Sequence, residues 1–390
     1  MTEAVLLSAC RTPIGTARKG TLRDTSAFDL ATLVVREAAA RSGVPLADID
    51  DVVLGESLAG GGDIARYAAI EAGLTHVPGL AHNRHCASGL ASVASAAASV
   101  RAGMDRAVIA GGTQSSSTAP VLRRRIPGSD DWQDPWSSPS HVSTPDAPNN
   151  DMAVLVGWNT AELAGITRPE MDAWALRSHQ RAIGAIDAGV FADEIVPVEV
   201  TGRDWTTTVF EVDEHPRRDT GIEKLAALKP LHPEIEGFSI TAGNSSGVND
   251  GAAAVVVADA GLAAAQGIAP LATVRAWASV GVDPVRTGLA PIEAIRKALD
   301  RAGMAIGEVD LFEINEAFAA VPIAAVRELG LDPDRVNPFG SGCSLGHPIA
   351  TTGTRMVATL AHELRRRGGG VAVAAMCAGG GMGSALVLSA

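Results

Sequence analysis

Apolar residues fall along the chain in two kinds of run. Residues 107–110 and 371–376 are unbroken apolar stretches with no polar alternation. Such runs suit strands of a sheet covered on both faces. Longer segments carry helix punctuation instead. Ser26 with Asp29 makes a capping-box start for one helix, and Gly43 supplies its left-handed end. Pro291 suits the first turn of another, closed by Gly303. A third is predicted over 169–188, with Pro169 near its start and Gly189 past its end. Residues 193–200 read as an edge strand, because Pro197 has no N–H for a ladder.

The pattern repeats itself at an offset of 260 residues. Residues 35–56 align without a gap on residues 295–316. Arg36 meets Arg296, Ala38 meets Ala298, Arg41 meets Arg301, Gly43 meets Gly303, Asp50 meets Asp310 and Glu56 meets Glu316. Each copy reads as a helix, a closing glycine and a short apolar strand. Residues 107–112 and 371–380 correspond as well, both apolar runs ending in a glycine pair. Two similar halves rich in β-α units are therefore expected, one near each end. The region between, about 120–247, differs. Its stretch 127–151 is rich in Pro, Ser, Asp and Asn and is too long for a simple connection.

Composition narrows the picture. Of 390 residues 46% are hydrophobic but only 4% aromatic, so Ala, Val, Leu and Ile must fill the core. The net charge of −12 argues against nucleic-acid binding, which needs a basic face. No run of about 18 apolar residues is present, so no membrane span is expected. The first residues lack the layout of a signal peptide. Four cysteines are too few for a disulfide scaffold, and a cytoplasmic location is expected.

Candidate chemistry clusters in four segments. In the first, Cys86 precedes a long run of Ala and Ser with no helix breaker before Gly103. A cysteine at the start of a buried helix has amides and a dipole that favour the thiolate. An inert buried cysteine is the plainer alternative. His82, His85 and Cys86 raise the thought of a metal, but no fourth ligand stands nearby. In the second, His347 lies between Gly346 and Pro348, which suggests a histidine at or beside a helix N-cap with a depressed pKa. In the third, Cys377 closes an apolar strand before three glycines, whose amides are free to donate. The following residues 385–388 read as a strand, which excludes a dinucleotide loop. In the fourth, Asn315 and Glu316 end the repeated strand of the second half, where polar groups face a crevice.

Together these segments resemble the thiolase family of acyl-CoA acyltransferases. The matching motifs are NRHCASGL around Cys86, NEAF at Asn315 to Phe318, GHP at Gly346 to Pro348, and CAGGGMG at Cys377 to Gly383. RTPIG (11–15), DEHPR (213–217) and TAGNSSGVNDGAA (241–253) match too. The resemblance implies an α/β fold, a five-layer α-β-α-β-α sandwich of two similar halves with an inserted loop domain. It places the N-terminal half at 1–119 plus 248–268, the inserted domain at 120–247 and the C-terminal half at 269–390. The inserted domain would carry CoA-binding and oligomer contacts.

The resemblance also implies roles. Cys86 would carry the acyl group, His347 would activate it, and Cys377 would act as acid and base with a thiol matched to that of CoA. Asn315 would hold an oxyanion water beside His347, and Gly379 would donate a backbone N–H to a second oxyanion hole with Cys86. Glu316 would orient the water or the histidine. Arg217 and Ser246 would contact CoA, and Phe318, Val156 and Thr287 the substrate. Leu155, Val156 and Thr287 depart from the family pattern, as does Ala350-Thr351-Thr352 after GHPI. Members act on CoA thioesters without metal or prosthetic group, as homodimers or homotetramers. The form of the Cys86 motif leans toward the degradative enzymes of β-oxidation. Two alternatives stay open: a catalytically silent acyl-CoA-binding homologue, and a related condensing enzyme of the same fold.

Overall fold

The computed structural model describes residues 2–57 and 62–390. The first half contains β1 (Ala4–Arg11), α1 (Ala27–Ser42), β2 (Asp51–Gly55), α2 (Ile64–Glu71), β3 (Gly79–His82), α3 (Ser88–Ala102) and β4 (Ala107–Ser115). A long excursion follows, whose main element is α4 (Arg168–Asp187). The chain then returns in β5 (Asn249–Asp259) and builds the second half. That half contains β6 (Ala272–Gly281), α5 (Ala290–Ala302), β7 (Leu311–Ile314), α6 (Ala320–Leu329), α7 (Thr352–Arg367), β8 (Val371–Ala378) and β9 (Met382–Ser389).

Strands run β3-β2-β4-β5-β1 in the first half and β6-β9-β8-β7 in the second. The two sheets touch at one corner, where Val5 lies opposite Thr273 and Leu6 opposite Ala272. In the first half β2 pairs parallel with both β3 and β4, in the second β7 pairs parallel with β8, and the rest of each path is antiparallel. The repeat holds at atomic detail. Gly43 and Gly303 end their helices at φ 71° and 67°, in the left-handed region. Short 3₁₀ turns follow at Leu46–Asp48 and Ile306–Glu308. Asp50 accepts from the N–H of Arg106 at the foot of β4, and Asp310 from the N–H of Val371 at the foot of β8.

The central strands have two covered faces, as their apolar sequences demand. Val5 and Leu7 of β1 join the cluster under α1, while Ala4 and Leu6 join the central one. On β8, Val373, Ala375 and Cys377 face outward to the α5 side, and Ala372, Ala374 and Met376 face the centre. Helices α3 and α7 lie between the sheets, packed against strands of both. Helix α1 covers the outer face of the first sheet and α5 that of the second. The result is five layers, α-β-α-β-α.

Helix α4 matches the predicted span within a residue and starts on Thr167, whose N–H and hydroxyl donate to Glu170. The predicted edge strand is shorter than expected. Only Val198–Thr201 pairs, with Thr207–Phe210, while Ile195 bridges to Arg11. Among the described residues no helix is long and apolar enough to cross a membrane.

Candidate active site

Two buried helices meet N-terminus to N-terminus at the centre of the molecule. The contact is made by glycine. A Cβ on Gly89 of α3 would lie 2.8 Å from the Ala350 carbonyl and from the Thr354 N–H nitrogen. A Cβ on Gly353 of α7 would strike the backbone of Leu90. Thr354 donates its hydroxyl to the Gly89 carbonyl at 3.1 Å. This close approach brings the turn before α3, which bears Cys86, against the turn before α7, which bears His347.

Cys86 sits in a tight turn: the N–H of Ala87 donates to the Arg84 carbonyl, and that of Ser88 to the His85 carbonyl. His85 takes φ 48°, which few non-glycine residues adopt, and so aims the next residue. Cys86 keeps partial exposure, but its thiol is pushed up to about 11 by desolvation. The N–H of Gly379 and its own N–H, both directed at the sulfur, oppose that shift. The expectation of a standing thiolate at the helix start is therefore corrected. Burial outweighs the amides, and the thiol needs a base to become a nucleophile.

Cys377 is the penultimate residue of β8, opposite Gly383 across a hairpin. Gly380 and Gly381 turn it at φ 82° and 76°. Its thiol is raised far above the ordinary range by burial, and further by charge on Cys86, which places the two sulfurs within electrostatic reach. The expected match to a CoA thiol is corrected accordingly. A raised thiol is a poorer match to CoA and a closer match to a weaker carbon acid.

His347 is buried, and desolvation followed by the charge of Arg355 lowers its pKa to about 4. It is not the helix cap: a turn from Pro348 to Thr351 intervenes before α7. Its neutrality comes from burial rather than from a helix terminus. Its N–H donates to Asn249 Oδ1 at 2.9 Å, and Asn249 in turn donates to the Gly15 carbonyl. Ring Nδ1 lies 2.7 Å from Thr352 Oγ1 and 3.5 Å from Asn315 Nδ2. Ring Nε2 and Asn315 Oδ1 are buried without a hydrogen-bond partner. Two orphaned polar atoms on neighbouring residues mark a place for a ligand's polar group.

Glu316 does not turn toward His347. Its carboxylate accepts from Trp174 Nε1 and Asn337 Nδ2, both at 2.8 Å, from Ser178 Oγ at 2.5 Å and from the Cys343 N–H at 3.2 Å. The expected orienting contact is replaced by an anchor that ties the NEAF turn to α4. Trp174 and Ser178 were invisible in the sequence as partners, since they lie far upstream in the excursion. Asn249, inside the TAGNSSGVNDGAA motif, was quoted there without a role.

The remaining candidates surround this centre. The N–H of Ser246 donates to the Ala317 carbonyl, and Ser245 bridges to Phe318, so the two motifs lie side by side. Gly157 and Phe318 also meet: a Cβ on the glycine would lie 2.8 Å from the ring. Val156 is buried in a π-helical segment, Ala153–Trp158, packed on the turn Pro284–Leu289 that bears Thr287. The Thr287 hydroxyl donates to the Pro284 carbonyl and accepts from the Gly381 N–H, so it braces the glycine loop. Arg217 is exposed, and its backbone N–H donates to His179 Nδ1 at 3.2 Å. The DEHPR and RTPIG motifs interlock: Asp213 and Glu194 bind the buried guanidinium of Arg11. His82 meets Ser92 at 2.9 Å.

Two repeated halves, with a cysteine-bearing turn laid against a histidine-bearing one and a second cysteine near the first, are the frame of an acyl-transferring enzyme. Residues 4–261 match the family model described as Thiolase, N-terminal domain, and residues 268–390 that described as Thiolase, C-terminal domain. The chain belongs to the thiolase family and is an acyltransferase. An acetyl-CoA acetyltransferase of Syntrophomonas wolfei is 41% identical over 402 aligned residues, covering 100% of this chain and 99% of its own. A 3-ketoacyl-CoA thiolase of Bacillus subtilis is 40% identical over 404, covering 99% and 98%. The crystal structure of Bacillus anthracis acetyl-CoA acetyltransferase has a TM-score of 0.90 at 38% identity and covers 100% and 99% of the two chains.

Proposed function

We propose that the enzyme transfers an acyl group reversibly between CoA thioesters through an acyl-Cys86 intermediate. The carrying observation is the bare, buried Nε2 of His347 at the junction that also holds both cysteines. In thiolysis Cys86 gives its proton to Nε2, and the thiolate attacks the 3-oxo carbon of a 3-oxoacyl-CoA. The C2–C3 bond breaks. Cys377 protonates the departing acetyl-CoA carbanion, then takes the proton of an incoming CoA thiol. That thiolate attacks acyl-Cys86 and releases a shortened acyl-CoA. The reverse sequence is a Claisen condensation.

Negative charge develops on thioester oxygens in each step and needs fixed donors. His347, once protonated on Nε2, and a water held by Asn315 would serve one oxygen. The N–H groups of Cys86 and Gly379 would serve the other, and both already point at the Cys86 sulfur. Ser246, Phe318 and Arg217 would line the path of CoA, and Val156 with Thr287 would form the wall at the acyl end. The inserted region 120–247 would carry CoA and oligomer contacts between the halves 1–119 plus 248–268 and 269–390. A cytoplasmic homodimer or homotetramer, working in β-oxidation with no cofactor besides its substrates, completes the reading.

The test is a thiolysis assay over 3-oxoacyl-CoAs of increasing length, with Cys86→Ala and Cys377→Ala beside the unaltered enzyme. Cys86→Ala should abolish both directions. Cys377→Ala should stop turnover yet still allow slow acylation of Cys86, seen by mass spectrometry. Normal turnover by Cys377→Ala would refute the two-cysteine mechanism.

A further inference from the structure

The two ring nitrogens of His347 have unlike surroundings. Nδ1 lies 2.7 Å from Thr352 Oγ1, whereas Nε2 is buried with no partner. The Thr352 hydroxyl also donates to the Pro348 carbonyl at 2.9 Å. A carbonyl only accepts, so in that bond the one hydroxyl hydrogen of Thr352 points to Pro348. Only lone pairs then face the ring, an arrangement that calls for hydrogen on Nδ1. We propose that Thr352 is a positioning residue: it holds His347 in the tautomer with hydrogen on Nδ1, which leaves Nε2 bare to take the proton of Cys86. This deepens the reading above and rests on His347 being the base.

The surrounding geometry keeps the arrangement rigid. The His347 N–H is held by Asn249 Oδ1 at 2.9 Å. The Pro348 carbonyl also accepts from the N–H groups of Thr351 and Thr352, at 2.9 and 3.0 Å, which fixes the turn between ring and hydroxyl. Asn315 Nδ2, 3.5 Å from Nδ1, is a packing neighbour once Nδ1 bears hydrogen. Its amide is then free to serve a ligand or water. The same acceptor suits both charge states of the ring. After Nε2 has taken a proton, Nδ1–H still donates to Thr352, and Nε2–H faces the site. A hydroxyl that donated to Nδ1 instead would put the hydrogen on Nε2 and block the base.

The experiment compares the unaltered enzyme with Thr352→Val, Thr352→Ser and His347→Ala. Valine keeps the branched shape and removes the acceptor; serine keeps the hydroxyl. Iodoacetamide labelling of Cys86 and kcat should both fall about 10–100-fold in Thr352→Val, less than loss of a whole general base, with KM little changed. Thr352→Ser should recover to within about three-fold of the unaltered enzyme, by the same reasoning. In protein labelled with ¹⁵N-histidine, His347 should show a protonated Nδ1 and a bare Nε2, and Thr352→Val should shift hydrogen to Nε2. Slow labelling in His347→Ala with normal labelling in Thr352→Val would overturn this inference alone. Normal labelling in His347→Ala would instead remove the base assignment of the previous section. Should Thr352→Val fail to fold, the ¹⁵N spectrum of the unaltered enzyme decides, and hydrogen on Nε2 there would overturn the proposal.

Discussion

Glu316 is fully buried, yet four donors converge on its carboxylate. A buried carboxylate is tolerable only when so satisfied. Glutamine in its place keeps the shape but turns one acceptor into a donor facing donors. Glu316→Gln should therefore lower stability by about 1–3 kcal/mol, read from the urea midpoint, and lower kcat as the Asn315 turn loosens. An unchanged midpoint would mean the anchor is dispensable. The motif letters pointed to Cys86, His347, Cys377 and Asn315, because the proposed acyl transfer needs a nucleophile, a base and fixed donors. They did not announce which way Glu316 turns. That depends on Trp174 and Ser178, which only folding brings to it. The thiol shifts were hidden for a related reason: a helix start favours a thiolate, but the desolvation that opposes it is set by neighbours from other elements.

At the scale of elements, the site exists because two helices cross closely. The alanine- and serine-rich run after Cys86 was legible as a buried helix, and it is α3. The partner and the angle were not. Gly89 and Gly353 decide them, and both read in the sequence as ordinary members of their motifs. Gly353→Ala would place a methyl group against Leu90 backbone, where nothing flexible can yield. Overpacking of this kind costs about 1–3 kcal/mol. The helices should part, so turnover should fall by at least about ten-fold, the factor that about 1.4 kcal/mol represents. Kinetics and a thermal melt of Gly353→Ala check this, with Gly184→Ala in α4 as a control, since a Cβ there meets nothing within 4 Å. The edge strand predicted at 193–200 shortened because Arg11, drawn into a buried pair with Glu194 and Asp213, takes up Ile195 first.

Among the described residues, burial lowers the pKa of three histidines, His179, His215 and His347, to about 4. In the unfolded chain each titrates near 6.5. Below that value the unfolded state binds more protons than the folded one, so stability must fall as pH falls from about 6.5 toward 4. Above 6.5 these groups contribute no slope. Urea midpoints between about pH 7.5 and 4.5 should decline on the acid side, and His215→Gln should flatten that decline. A midpoint that rose on acidification would contradict the assignment.

The sequence by itself determined the repeat, its helix ends and buried strands, since glycine at a left-handed position and unbroken apolar runs are local demands. It also singled out the residues to which the proposed chemistry is assigned. Only the tertiary structure decided how the two halves stack, that α3 and α7 meet at glycines, and that Glu316 serves α4 rather than His347. Those outcomes depend on contacts between residues far apart in the chain. Local preference is silent about them, because the free energy that selects them comes from packing and desolvation on assembly.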